Sequence, residues 1–233
     1  MQTINDLADL LFHNIQNLYA AEEQMSRTIP SIIEKVHHNS LKNALTHHST
    51  LTGEQKNRLK KIVEEINVKH GDNAKSSLTL DPGFVCKGMK GLIEEANELL
   101  ESNPAKEVTD AGIIACVQKM EHYEISTYGT ALAYVKQLHL HHAETLLAET
   151  LDEEYDADDL LTALATAAIN KEAVPKSMQV DEADDDAARK ENDESGTTSR
   201  PGKVSISERS INSPGGRAGT SHRRYGSGES RGH

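Results

Sequence analysis

Apolar residues recur every three to four positions over most of the first 172 residues, the spacing that lines one face of an α-helix. The pattern predicts four long helices, about Ile4–Val36, Leu41–Val68, Pro104–Leu138 and His141–Lys171, and a shorter one over about Phe84–Glu101. Thr3 and Asp6 resemble a capping box at the first start, and Asn39 or Ser40 suits the second as a cap. Pro104 sits well at a first helical position after Asn103. Pro30 predicts a kink or irregular turn late in the first helix, and Gly53 a locally irregular stretch of the second. Gly71, Asp72 and Pro82 mark a loop before the short helix. No segment alternates with the period of a strand. Long helices joined by mostly short turns predict an all-α protein, an antiparallel four-helix bundle with one additional short helix.

The apolar seams are broken in a consistent way. The first helix reads Leu11, Ile15, Leu18, Glu22, Met25, Ile29, with a single carboxylate among apolar residues. The fourth reads Ile114, Val117, Glu121, Glu124, Tyr128, Ala131, Val135, Leu138, and the last reads Leu146, Glu149, Glu153, Ala157, Leu160, Leu164, Ala168. Glu149 is the least firmly placed, because a slight rotation turns it outward and brings Asp152 or Glu154 into competition. The second helix offers Leu41, Leu45, His48, Thr52, Gln55, Leu59, Ile62, Ile66, hence an imidazole and an amide but no carboxylate. Like charges in one dry core repel unless they are protonated or neutralised. No Lys or Arg lies on these stripes, so a bound cation is the expected solution. Oxygen and imidazole donors in a bundle core suit iron or manganese, often as a pair of ions sharing carboxylates. The candidate ligands are Glu22, Glu121, Glu124, Glu149, Glu153, Gln55 and His48. Histidines at 139, 141 and 142 read as a solvated turn, His122 points off the seam, and Glu94 and Glu95 read as surface.

Composition divides the chain in two. Residues 1–172 form the expected bundle, whereas residues 173–233 read as a disordered, low-complexity tail too poor in large apolar residues to offset chain entropy. The tail is charge-segregated, with 8 acidic and 3 basic residues over 175–194 and 2 acidic and 7 basic over 195–233. The net charge of −12 argues against nucleic acid as a partner. No apolar run is long enough to span a membrane, and the start lacks the features of a signal peptide, which points to a cytoplasmic protein. Cys86 and Cys116 form no CxxC pair and read as small buried hydrophobes.

Three runs carry a resemblance. Ala20–Gln24, Cys86–Glu98 and Gln118–Ile125, with Glu149–Glu154 in support, resemble the YciE/YciF-type ferritin-like di-iron proteins. The resemblance covers about residues 3–172. It implies a five-helix ferritin-like domain, a carboxylate-bridged pair of metal ions with iron favoured and manganese as the alternative, and a link to stress responses. Glu22, Glu121, Glu124 and Glu153 match its ligand positions, and Glu149 less closely. The chain departs from the pattern on the second helix, where Thr50 and Leu51 stand in place of acidic residues while His48, Thr52 and Gln55 are kept. The implied activity is oxidation of iron by dioxygen or hydrogen peroxide. Two alternatives are a manganese catalase-like removal of peroxide and a non-enzymatic metal-binding or assembly module with a degenerate site. A homo-oligomer, a dimer above all, is expected by analogy.

Overall fold

A computed structural model describes residues 4–70 and 78–179. Its five principal helices are α1 (Leu7–Ile33), α2 (Asn39–His70), α3 (Lys87–Glu101), α4 (Lys106–Gln137) and α5 (His141–Leu164). A π-helical turn, Ala165–Ile169, and a last turn, Asn170–Glu172, extend α5 to the expected end. The described part of the chain is thus all-α, a ferritin-like bundle of four long helices and one short one. The expected tail from 173 falls outside the described residues beyond 179, and over 173–179 the chain forms a short 3-10 turn at Lys176–Met178.

Several ends are set by side chains. Asp6 accepts from the backbone N–H of Ala8 and of Asp9, each at 2.9 Å, so it is the cap of α1, and Thr3 of the expected box lies outside the described residues. Pro30 lies inside α1 and the helix ends three residues later. Gly53 does not interrupt α2, which runs unbroken around it. The start of α3 falls at Lys87, not Phe84, because the Cys86 sulfur accepts from the Met89 N–H at 3.4 Å. α4 closes with His139 at φ 54°, the Leu140 N–H reaching the Val135 carbonyl at 3.0 Å and the His139 N–H that of Lys136 at 3.3 Å. This turn reverses the chain directly into α5, whose first-turn Ala143 N–H donates at 2.6 Å to the Glu65 carboxylate of α2.

α1 packs on α2 and α4, α5 packs on α2 and α4, and α3 lies against α1 and α4. One apolar cluster joins Leu11 and Ile15 of α1 to Ile62 and Ile66 of α2, Val135 of α4 and Leu147 of α5. A second joins Met25 and Ile29 of α1 to Leu41 and Leu45 of α2, Ile113 and Val117 of α4 and Leu161 of α5. The start of α1 therefore meets the ends of α2 and α4, so packed neighbours among the four long helices run antiparallel. The segment entering α3 is fixed by amide side chains. Asn67 makes paired bonds with the Leu78 backbone, Gln16 with that of Asp81, and Gln24 accepts from the Cys86 N–H. Among the described residues no helix is long and apolar enough to cross a membrane.

Candidate metal centre

Between the two apolar clusters lies a buried polar layer. α1 supplies Glu22, α2 supplies His48, Thr52 and Gln55, α4 supplies Glu121, Glu124 and Tyr128, and α5 supplies Thr150 and Glu154. Their helical positions follow the seams. On α1, α2 and α4 each residue is the next member of an apolar stripe, so it is carried into the core by the burial of its neighbours. Glu121, Glu124 and Glu154 are 0% exposed, Glu22 is 1% and His48 is 4%. One ligand atom from each of His48, Glu121, Glu124 and Glu154 falls within 4.8 Å of the others. His48 Nε2 is 3.5 Å from Glu121 Oε1. Glu22 adjoins this group and accepts a hydrogen bond of 2.5 Å from the Tyr128 hydroxyl.

α5 is turned by one residue from the expected seam. Its inward stripe is Ala143, Leu147, Thr150, Glu154, Leu161 and Ala165, so Glu154 occupies the place expected for Glu153. Glu149, with a side chain 54% exposed, and Glu153, at 21%, stand at the bundle edge. The cause is Arg58, one residue off the α2 seam and 9% exposed. Its guanidinium grips Glu153 with two bonds of 2.8 Å and reaches Glu149 at 2.9 Å. The expectation that no basic residue reaches these stripes is therefore corrected. Gln55 links edge to core, donating to Glu154 at 2.6 Å and to Glu153 at 3.2 Å. Of the seven candidate ligands, Glu22, His48, Gln55, Glu121 and Glu124 lie in the buried layer, and Glu149 and Glu153 do not. Glu94, Glu95, His122, His139, His141 and His142 are exposed, as expected.

The electrostatics of the layer are those of acids without a counter-charge. Burial, then the neighbouring Glu154 charge, pushes the Glu22 carboxyl well above the usual carboxylate range, against the pull of the Tyr128 hydrogen bond. Burial together with Glu22, Glu154 and Glu121 does the same to Glu124, and burial with Glu121 does so to Glu154. Glu121 rises to about 7, chiefly through burial, with a hydrogen bond from Glu154 holding it down. Burial depresses His48, so its imidazole is neutral and free to ligate. Both oxygens of Glu124, one each of Glu22 and Glu154, and both nitrogens of His48 lack a hydrogen-bond partner in the protein. Four buried carboxylates and an imidazole, each with at least one ligand atom left for a cation, are a donor set that fits hard or borderline divalent cations. This is a buried carboxylate and histidine group able to hold a metal.

Residues 6–174 match the family described as Domain of unknown function (DUF892). The chain belongs to this family. YciF of Escherichia coli (strain K12) is 38% identical to it over 176 residues, covering 76% of this chain and 98% of YciF. The crystal structure of that stress protein superposes with a TM-score of 0.64 at 37% identity, covering 72% of this chain and 99% of the other. YcfI from Rhodopseudomonas palustris gives a TM-score of 0.61 at 33% identity, over 69% of this chain and 96% of its own. A protein from Xanthomonas campestris, at 17% identity and a TM-score of 0.51, shares the fold alone. The family match runs from residue 6 to residue 174, so the polar layer lies wholly within it.

Proposed function

We propose that this DUF892 protein is a stress-response protein whose polar layer holds two divalent metal ions, iron by preference, and oxidises ferrous iron with dioxygen or hydrogen peroxide. The observation that carries the reading is the buried group His48, Glu121, Glu124 and Glu154 with Glu22 beside it. Ionised, its four carboxylates hold four negative charges with no buried Lys or Arg turned toward them, since Arg58 is taken by Glu149 and Glu153. Two divalent cations balance that charge. The stress assignment follows the E. coli relative.

Glu22, His48, Glu121, Glu124 and Glu154 would hold the iron, which would supply one-electron redox chemistry toward dioxygen or peroxide when bound. The chain's own residues set the conditions. The raised carboxyls of Glu22, Glu121, Glu124 and Glu154 favour protonation in the absence of a cation, so cation binding competes with protons. Tyr128 Oη holds Glu22 Oε1 and fixes that carboxylate in one orientation. Gln55 Nε2 does the same for Glu154 Oε1. The apolar clusters on either side exclude bulk water and keep the electrostatics strong.

A second reading rests on α2. It brings His48 and Gln55 to the layer and no carboxylate, which fits a metal-binding or assembly module that performs no oxidation. Aerobic addition of ferrous iron to wild type and to Glu121→Gln separates the two. Ferric product formed with uptake of oxidant by wild type, and at least tenfold slower in the variant, is the result expected of an oxidase. Metal retained with no oxidation above the buffer rate overturns the oxidase reading and leaves the module.

A further inference from the structure

The geometry points to a binding site for a small uncharged organic hydroxyl compound, an alcohol or phenol, in the cleft between α2 and α5 that ends on His48 and Glu121. The cleft has a volume of about 380 Å³. That lies within the range of small-molecule pockets and is far more than a diatomic gas or peroxide needs. Its walls are apolar, from Leu45 and Leu51 on one side and Ala157 and Leu161 on the other. Leu160, 45% exposed, lies at its mouth. The floor is polar. His48 and Glu121 line the cleft, each more than nine-tenths buried, with neither imidazole nitrogen in a hydrogen bond and a Glu121 oxygen 3.5 Å from His48 Nε2.

Each part of this lining selects. Asp156 also lines the cleft and disfavours an anion, while His47 and the Arg58-paired Glu153 complete its polar edge. The leucine and alanine walls make the desolvation of a cation costly. An apolar body covers the walls, and one hydroxyl on it meets the floor, donating to a Glu121 oxygen or accepting from His48. The hydroxyl end of such a compound faces the residues read above as a metal centre. Its binding does not rest on that reading.

Calorimetric titration of phenol into the full chain tests the site, with metal content measured on the same samples. Toluene serves as the ligand without the hydroxyl. Ala157→Phe fills the cleft from α5 and Ala44→Leu from α2, neither residue being a candidate ligand. Circular dichroism confirms that both variants fold. The expected result is one phenol per chain, bound at least tenfold more weakly by both folded variants, with toluene at least tenfold weaker than phenol and metal content unchanged throughout. No phenol binding by wild type, or binding unaffected by both substitutions, overturns the cleft site. Equal affinity for toluene overturns the role of the polar floor. Loss of metal from wild type with phenol binding retained sinks the metal reading alone.

Discussion

At the level of single residues, the difference between Glu153 and Glu154 is the most instructive. Successive helical residues point about 100° apart, and α5 contains the doublets Leu146–Leu147, Glu153–Glu154 and Leu160–Leu161. Either member of each doublet gives an apolar stripe broken by a glutamate, so the pattern along α5 cannot choose between them. The choice is made by Arg58 on another helix, which takes Glu149 and Glu153 to the edge. The two neighbouring glutamates therefore have opposite roles. Arg58→Met leaves the partly buried Glu153 carboxylate and the exposed Glu149 without a counter-charge and is expected to cost about 1–2 kcal/mol, read as a lower denaturant midpoint at unchanged slope. A loss under about 0.5 kcal/mol, the range of a surface substitution, contradicts the role given to Arg58.

The same residues set a pH dependence. Glu22, Glu121, Glu124 and Glu154 have folded-state values raised above the ordinary 4.5, Glu121 to about 7. Groups raised in this way bind more protons folded than unfolded. Their contribution is complete below the ordinary value and is lost as pH climbs through the folded ones. The metal-free protein is thus expected to lose stability between roughly pH 5 and pH 8, and metal affinity to rise over that interval as protons cease to compete. Chemical denaturation of the chelated protein across this range checks the first, and a flat profile contradicts it.

Among the elements, the order and type of the helices were legible because the periodicity is long and uninterrupted. The α2 seam read from spacing is buried at every position from Leu41 to Ile66, and it places His48 and Gln55 in the layer without ambiguity. What periodicity does not carry is contact between elements. The amide ties of Gln16, Gln24 and Asn67 to the backbone of 78–86 and the cap formed by the Cys86 sulfur have no signature in the local pattern. Nor does the π-helical turn at Ala165–Ile169. Two glycines separate into different classes. A Cβ at Gly53 meets nothing within 4 Å, so Gly53→Ala is expected to stabilise α2 by about 1 kcal/mol. A Cβ at Gly88 falls 2.6 Å from the Tyr123 ring, whose hydroxyl lies 3.0 Å from the Cys86 sulfur. Gly88→Ala forces α3 away from α4 and is expected to cost about 2 kcal/mol. Thermal unfolding of the two single variants should move in opposite directions, and a shift of the same sign in both contradicts this reading of the helix contacts.

For the molecule as a whole, the bundle consists of two apolar halves separated by a polar layer through which all four long helices pass. A protein selected for stability alone gains by filling that layer with apolar side chains, since buried acids without partners destabilise the fold. The layer is explained if a cation neutralises it, and the acidic balance of the chain, net −12, favours the approach of cations over anions. Elemental analysis after reconstitution with iron or manganese tests this most directly, on wild type, Glu154→Gln and Glu149→Gln. The account predicts about two ions per chain in wild type, unchanged in Glu149→Gln and reduced by at least half in Glu154→Gln. Absence of metal from the wild-type protein, or loss in Glu149→Gln with retention in Glu154→Gln, would contradict it.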